Sequence, residues 1–182
     1  MSDPAFFGYG SLVNLATHDY ADPRPARLAG WRRVWCGTTL RGLAYLSVEE
    51  APGVEIDGVI ARVPRADWAA LDEREAAYDR VAVTEAVRHD GPPSPIAVYR
   101  VSPVHLHSDR SQPILRSYLD VVVEGFWRMH GEAGVARFFE TTGGWAHPVL
   151  DDRAAPVYPR ARVVGAEVSE MVEAGLAGRA KG

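Results

Sequence analysis

The run Phe6-Phe7-Gly8-Tyr9-Gly10-Ser11-Leu12 near the start of the chain is the feature that most constrains its fold. Its aromatic residues favour a strand, which we expect over about residues 6–10. The glycines permit backbone angles and close approaches that a side chain would forbid. Backbone N–H groups in such a turn, together with the Ser11 hydroxyl, can bind a carboxylate or stabilise a developing oxyanion. The run therefore predicts a strand that ends in a binding loop for a small polar molecule.

Further strands are predicted through the first two thirds of the chain, and one helix interrupts them. Aromatic and β-branched content, bounded by Gly and Pro, indicates these strands, with a loop around Pro52-Gly53 between two of them. The helix is expected at about residues 65–77. The strands are expected at residues 31–36, 43–48, 57–63, 80–87 and 96–101.

The character of the sequence changes after residue 102. Apolar residues at helical spacing predict a long helix at 113–130, followed by a shorter one at 134–142. An ordered but irregular tail is expected at 151–162 and a last helix at 169–176. We therefore expect a single α+β domain over residues 1–182, with a mixed sheet curled toward a barrel and helices on its C-terminal side. The long helix could serve as a lid, as a face for a homodimer or as additional core.

Composition excludes several classes of protein. A net charge of −4 and a pI near 5.9 argue against nucleic acid as a partner, and the basic residues Arg32-Arg33, Arg160 and Arg162 are expected to be solvated. The single cysteine, Cys36, excludes an intrachain disulfide framework. Neither a signal peptide nor a membrane-spanning run is visible, so no membrane partner is expected and a cytoplasmic location is the default.

Glu75 is the strongest candidate for chemistry in the predicted helix. On a helical projection it falls between Trp68 and Leu71, near the centre of the apolar face. Burial of a carboxylate costs stability unless the group is paired, hydrogen-bonded or used, and it raises the pKa toward neutrality. Glu75 is therefore a general acid/base candidate. The alternative is a structural glutamate at the edge of the face that reaches water or pairs with an arginine.

Other arrangements of reactive residues are weaker. Ser11 lacks the second glycine of a G-x-S-x-G nucleophile elbow, because Val13 stands there. His105 and His107 could form a metal pair, but no further ligand motif accompanies them, so exposed loop histidines are favoured. Trp145, after two glycines, could cover a pocket or anchor the tail on the core, and the second is favoured.

Several of these segments together resemble the γ-glutamylcyclotransferase-like superfamily, which includes AIG2-like and γ-glutamylamine cyclotransferase-like proteins. The segment that ends in Tyr9-Gly10-Ser11-Leu12 is similar to the family's Y-G-S-[NL] signature, and Leu71-Asp72-Glu73-Arg74-Glu75 is similar to its L-D-x-x-E run, about sixty residues later. Residues 27–32 and Asp57-Gly58-Val59 resemble two family strands. The resemblance covers about residues 5–102, and residues 103–182 would be a helical or irregular extension packed on that core.

The resemblance implies a small mixed β-barrel with flanking helices, and an intramolecular aminolysis without a cofactor or metal. The α-amine of a γ-glutamyl substrate attacks its own γ-carbonyl, which gives 5-oxoproline and a free amine or amino acid. By position, Glu75 would be the general acid/base. The glutamyl pocket would be lined by Tyr9, Gly10, Ser11, Leu12 and Tyr99.

Two questions stay open on the sequence alone. The departing amine is not identified, because glutathione, γ-glutamyl amino acids and γ-glutamyl amines share the half that the motifs would recognise. Leu12-Val13-Asn14, where the family often has a polar residue after the serine, adds to that question. The alternative function is a non-catalytic binding or scaffold protein that retains the γ-glutamyl pocket.

Overall fold

The first strand lies inside a curled sheet. In this computed structural model, which describes residues 3–179, β1 (Ala5–Gly8) is buried along its whole length. It pairs antiparallel with β3 (Ala44–Arg62) and parallel with β6 (Ile96–Val101). A strand with a neighbour on each side and both faces covered requires a nearly continuous apolar run, which Ala5-Phe6-Phe7 supplies.

The longest pairing in the sheet joins β3 to β2 (Ala21–Thr38) as an antiparallel hairpin. The predicted loop at Pro52-Gly53 is wrong, because β3 runs through it as one continuous strand. A register shift between the pairs Ala29–Glu55 and Trp31–Glu50 takes up the extra residues of β3. Gly53 adopts a φ of 84° in this irregularity, a backbone conformation that glycine permits without strain.

The single strand predicted at residues 80–87 is two strands that lie at opposite ends of the sheet. β4 (Tyr78–Ala82) pairs with β6, whereas β5 (Val87–Arg88) pairs with β2, and a 3-10 turn at Thr84–Ala86 separates them. In a flat sheet with the order β4-β6-β1-β3-β2-β5 the ends would be about 24 Å apart. The link between them spans at most about 17 Å. The sheet must therefore curl, which confirms the prediction of a mixed sheet curled toward a barrel, and the structure shows it as a half-barrel.

Short strands complete the sheet on the C-terminal side. β7 (Leu106–His107) pairs antiparallel with β2. β9 (Thr142–Gly143) pairs parallel with the same strand, and β8 (Ile114–Leu115) pairs with β10 (Val149–Leu150) in a separate small sheet. The second half of the chain is thus joined to the curled sheet by backbone hydrogen bonds.

The helix between β3 and β4 is shorter than the sequence predicts. α1 (Ala69–Arg74) has six residues, and a separate 3-10 turn at Pro64–Ala66 precedes it. Arg65 and Ala66 have φ angles of 57° and 54°, so the backbone leaves the right-handed helical region there. The prediction of a helix over residues 65–77 is therefore wrong at both ends, because the helix begins later and ends earlier.

Two helices cover the C-terminal side of the sheet. α2 (Arg116–Thr141) includes a break at Gly131, where φ is 66°, so it divides close to where the sequence predicts two helices. Its buried face contributes Leu119, Val122 and Phe126 to the core. α3 (Ala166–Arg179) extends beyond the predicted 169–176 and packs on the second half of α2. Residues 151–165 have no helix or strand, as expected for the tail.

One arginine of the predicted solvated pair is a core residue. Arg33 is 0% exposed, and its guanidinium donates to the carbonyls of Tyr9 and Asp57 and to Oγ1 of Thr141. The guanidinium also lies over the rings of two buried phenylalanines of α2. Burial lowers the pKa of Arg33, but a guanidinium remains charged at neutral pH. The expectation of a solvated Arg33 is wrong, and the residue fixes the backbone beside the candidate binding loop.

Within residues 3–179, none of the helices combines the length and the apolar character that crossing a bilayer requires.

Candidate active site

A cavity with two adjoining parts lies between the loop after β1, strand β3, the end of α1 and the tail. The larger part, here called the chamber, has a volume of about 190 Å³, and the smaller part, the recess, has about 20 Å³. The recess lies beneath the loop after β1 and has room for one small polar group. Five residues line both parts: Ser11, Leu46, Glu75, Tyr78 and Tyr118.

Glycines allow the loop after β1 to approach its neighbours closely. A Cβ atom on Gly10 would lie 2.6 Å from the hydroxyl of Tyr118, and one on Gly8 would lie 2.8 Å from Cβ of Leu12. Both distances are shorter than a van der Waals contact, so a side chain at either position would displace the loop or the tyrosine. The alternation of glycine seen in the sequence is therefore required by close approach.

Asn14 attaches this loop to α2. Its side-chain amide donates to the carbonyl of Val121 at 2.9 Å and to the carboxylate of Glu124 at 2.8 Å, while its Oδ1 accepts from the backbone N–H of Ala16. Gly125 makes room for it, because a Cβ there would lie 2.6 Å from the Asn14 nitrogen. The loop is thus fixed from both sides, by Arg33 on the sheet and by α2.

Glu75 lies at the junction of the two parts of the cavity. It is the residue that ends α1, and its backbone N–H donates to the carbonyl of Leu71 at 2.9 Å. Its side chain is only 15% exposed. Burial raises the pKa of this carboxyl group, and the positive charges of Arg74 and Arg160 oppose the rise. The carboxyl group therefore binds a proton more readily than an exposed glutamate does.

Arg74 connects Glu75 to the loop after β1. Its Nε lies 3.2 Å from Oε1 of Glu75, and its side chain is 8% exposed. The same guanidinium donates to the carbonyl and the hydroxyl of Thr17 and lies 3.5 Å from the hydroxyl of Ser11. Because these contacts fix its position, Arg74 holds Glu75 and the loop in one arrangement.

The tyrosines around the recess have buried hydroxyl groups with defined partners. Tyr9 donates to the carbonyl of Tyr99 at 2.6 Å, and Tyr78 donates to the carbonyl of Leu46 at 3.0 Å. Burial raises the pKa of Tyr9 and of Tyr78 well above the usual value, so both stay protonated. The hydroxyl of Tyr99 instead donates to Oδ1 of Asp72 in α1, at 2.5 Å. The contribution of Tyr99 to the cavity wall therefore comes from its backbone.

The structure brings all six predicted site residues to one cavity. Glu75 and Ser11 line both the chamber and the recess. The other four line the recess alone: Tyr9, Gly10, Leu12 and Tyr99.

Several residues of the chamber were not identified from the sequence. Tyr118 was counted only as part of the apolar face of the long helix, yet its hydroxyl lies beside Gly10. Tyr158 packs edge-on against Tyr118, with ring centroids 5.0 Å apart, and this contact places the tail against the chamber. The available signal for Tyr118 was its hydroxyl, a polar group on an otherwise apolar helical face. No sequence pattern indicates that the tail reaches the chamber. Other chamber residues missed include Trp35, Arg41, Tyr45, Arg74, Tyr78 and Arg160.

The remaining candidate residues lie away from the cavity. His105 ends a 3-10 turn, and His107 lies exposed in β7 with its Nδ1 accepting from the backbone of Asp109. Trp145 stacks on Phe139 at a centroid distance of 5.3 Å and donates from its indole nitrogen to a backbone carbonyl. Trp145 therefore anchors the chain on the core, as the favoured interpretation proposed.

Comparison with solved structures shows a shared fold. A protein described as "Gamma-glutamyl cyclotransferase" superimposes with a TM-score of 0.61 at 17% identity, over 96% of this chain and 99% of the other. The human uncharacterized protein loc79017 gives 0.59 at 16% identity, over 93% and 97%. YkqA from Bacillus subtilis gives 0.53 at 21%, over 66% of this chain and 47% of its own. At these identities the likeness shows the fold alone.

The family is shown by a separate comparison of sequence patterns. Among curated proteins, none matches the chain significantly. Residues 6–120, however, match the family model described as "Gamma-glutamyl cyclotransferase, AIG2-like". This match includes the loop after β1, Glu75 and the first turn of α2, and it extends past residue 102. Since it spans more than half of the chain, the protein belongs to the AIG2-like γ-glutamyl cyclotransferase family.

Proposed function

We propose that the protein is an enzyme that converts a γ-glutamyl compound into 5-oxoproline and a free amine or amino acid. The observation that carries the proposal is the position of Glu75, a buried carboxyl group at the junction of recess and chamber. A cavity that only bound an amino acid could use an ionised carboxylate to pair with the α-ammonium, but burial, which raises the pKa of Glu75, disfavours the ionised form. A general acid/base needs such a group.

The recess and the loop would bind the glutamyl half of the substrate. Val13 makes the first backbone hydrogen bond within the 3-10 turn, to Gly10, so the N–H groups of Ser11 and Leu12 have no partner inside that turn. The N–H of Ser11 lies within hydrogen-bond reach of the hydroxyl of Tyr118, so a substrate oxygen would compete with that hydroxyl for it. Such N–H groups can donate to a carboxylate or to the oxygen of a tetrahedral intermediate. The close contacts of Gly8 and Gly10 keep these donors fixed before the substrate arrives.

Glu75 would move the protons of the reaction. It takes a proton from the α-ammonium, and the resulting amine attacks the γ-carbonyl carbon to close a five-membered ring. The bond from that carbon to the departing nitrogen then breaks as Glu75 returns a proton to the nitrogen. At neutral pH the attacking nitrogen loses two protons in all and the departing nitrogen gains two, so one carboxyl group that exchanges protons with both balances the reaction.

The fold would supply orientation as the second part of catalysis. The attacking and accepting groups belong to one molecule, so the cavity needs to hold the substrate folded with its amine against its γ-carbonyl. The reaction oxidises and reduces nothing, and the proposal assigns no cofactor to it.

The test is release of 5-oxoproline by the purified full-length protein from a panel of γ-glutamyl compounds that includes glutathione. We expect the wild type to release it and Glu75→Gln to lose at least about a hundredfold in kcat/KM. Glu73→Gln is the matched control, because Glu73 is exposed and lines neither part of the cavity.

The alternative function, a binding or scaffold protein, predicts a different result in the same assay. The wild type would bind γ-glutamyl compounds in a calorimeter and release no 5-oxoproline from any of them. Equal turnover by wild type and Glu75→Gln would remove Glu75 from the role of acid/base while leaving the reaction in place.

A further inference from the structure

We propose that the chamber selects a leaving group that carries a carboxylate beside an apolar side chain, and that Arg160 is the residue that selects it. The preferred substrate is then a γ-glutamyl amino acid rather than a γ-glutamyl amine. This inference rests on the proposed function and specifies the half of the substrate that the sequence motifs leave undefined.

The charges around the chamber are the first argument. Arg41, Arg74 and Arg160 line it, and Glu75 is the one carboxylate among its described lining residues. Arg74 is already bound to Glu75 and to Thr17. The side chains of the other two arginines make no hydrogen bond or ion pair within residues 3–179. The chamber therefore attracts an anion and disfavours a second ammonium group.

The position of Arg160 relative to Glu75 is the second argument. Arg160 is close enough for its charge to lower the pKa of Glu75. In the proposed reaction Glu75 protonates the departing nitrogen, and in a departing amino acid a single carbon separates that nitrogen from the α-carboxylate. A guanidinium that lines the same chamber as Glu75 can reach this carboxylate, and guanidinium and carboxylate can pair through two parallel hydrogen bonds.

The walls of the chamber favour an apolar side chain on the same leaving group. Tyr118 packs edge-on against Trp35 as well as Tyr158, with ring centroids 5.8 Å and 5.0 Å apart. Leu115 and Pro159 add further apolar surface. Burial of an apolar side chain against such walls stabilises the complex by about 25 cal/mol for each Å² removed from water.

The tail that carries Arg160 is fixed on α2 at both of its ends. Before Arg160, the carboxylate of Asp152 accepts from the backbone N–H of Ser117 at 2.8 Å, and Arg153 makes two hydrogen bonds to Asp120. After it, Arg162 pairs with Glu124 at 3.3 Å. Because these contacts exist without substrate, the backbone that carries Arg160 is held beside the chamber, and its exposed side chain can turn toward a bound carboxylate.

The experiment compares matched substrates that differ only by the carboxylate. γ-Glutamyl-phenylalanine is paired with γ-glutamyl-phenethylamine, and γ-glutamyl-leucine with γ-glutamyl-isoamylamine, and 5-oxoproline release is measured on the full-length protein. We expect kcat/KM to be at least about tenfold higher for the acid of each pair.

Variants of Arg160 assign that preference to one side chain. Arg160→Gln should lower kcat/KM for the acids by about 10- to 100-fold, mainly through KM, and change it less than about threefold for the amines. Arg160→Lys should restore part of the preference because it keeps the charge. Arg110→Gln is the matched control, since Arg110 is exposed in another loop and lines no part of the cavity.

Each outcome separates this inference from the proposed function. An equal kcat/KM of the wild type for the acid and the amine of each pair would overturn the inference and leave the proposed reaction in place. An equal loss of kcat/KM for acids and amines in Arg160→Gln would have the same meaning. Release of 5-oxoproline from no member of either pair, nor from the wider γ-glutamyl panel, would overturn the proposed function and the inference with it.

Discussion

Nε of Arg74 lies 3.2 Å from Oε1 of Glu75, so this guanidinium offsets part of the effect that burial has on the carboxyl group. The two residues are neighbours at the end of α1, where the helix stops and both side chains turn toward the cavity. Arg74 is also bound to the loop after β1. The basicity of Glu75 and the geometry of this loop therefore depend on one side chain.

The pH dependence of activity should follow from this contact. Burial raises the pKa of Glu75 and Arg74 lowers it, so removing the positive charge should raise the pKa further. A general base acts when it is ionised, so the acidic limb of kcat/KM against pH should lie above the usual glutamate range in the wild type. In Arg74→Gln the limb should move to higher pH.

Arg74→Lys is the control for this shift, because it retains the charge and loses the planar geometry. We expect its acidic limb to stay within a few tenths of a pH unit of the wild type, whatever its maximal rate. A limb that is the same in Arg74→Gln and the wild type would contradict the assignment of that limb to Glu75.

Glu75→Gln should separate stability from activity. The pKa of Glu75 in the folded protein lies above its unfolded value, so the contribution of this group to stability is complete at low pH and is lost as pH rises through the folded pKa. Relative to the wild type, the variant should therefore gain in Tm as pH rises above the usual glutamate pKa, while its activity is lost. Thermal unfolding followed by circular dichroism at several pH values measures this, and a variant that becomes relatively less stable at high pH would refute it.

The parts of this molecule that were predicted correctly depend on local sequence. β6 lies where β-branched residues between Pro and Ser indicate it, and Gly131 breaks α2 between two apolar stripes. Glu75 was found from its place on an apolar face, although the helix that justified this argument ends one residue earlier.

The errors concern relations between distant segments. Arg33 appears solvated in the sequence because its buried acceptors come from residues 9, 57 and 141, which only the folded chain brings together. Pro52-Gly53 resembles a loop until a long partner strand is known to continue opposite it. Tyr158 and Arg160 reach the cavity through an irregular tail, which has no periodicity from which its path could be inferred.

Gly10→Ala should damage the cavity more than the fold. The added Cβ would meet the hydroxyl of Tyr118 at 2.6 Å and a methyl group of Leu46 at 3.2 Å, so the loop or the tyrosine must shift. We expect a loss of about 1–3 kcal/mol in the free energy of unfolding, typical of overpacking, and a loss of activity larger than the population of folded protein explains. Urea denaturation and 5-oxoproline release measure the two effects.

Gly165→Ala is the matched glycine substitution, because nothing lies within 4 Å of its added Cβ. It should leave both the free energy of unfolding and the activity close to those of the wild type. If Gly10→Ala behaves like this control, the close approach of Tyr118 to the loop contributes neither to activity nor to stability.

Arg32 and Arg33 offer a test of how much the buried guanidinium stabilises the fold. Arg33→Met would leave the carbonyls of Tyr9 and Asp57 without their donor, and each unsatisfied buried group costs about 1–3 kcal/mol. The free energy of unfolding should therefore fall by about 2–4 kcal/mol. Arg32→Met removes only an exposed ion pair with Glu49 and should cost less than about 1 kcal/mol. Urea denaturation with equal m values compares the two, and equal losses would mean that the contacts of Arg33 add nothing beyond those of a surface arginine.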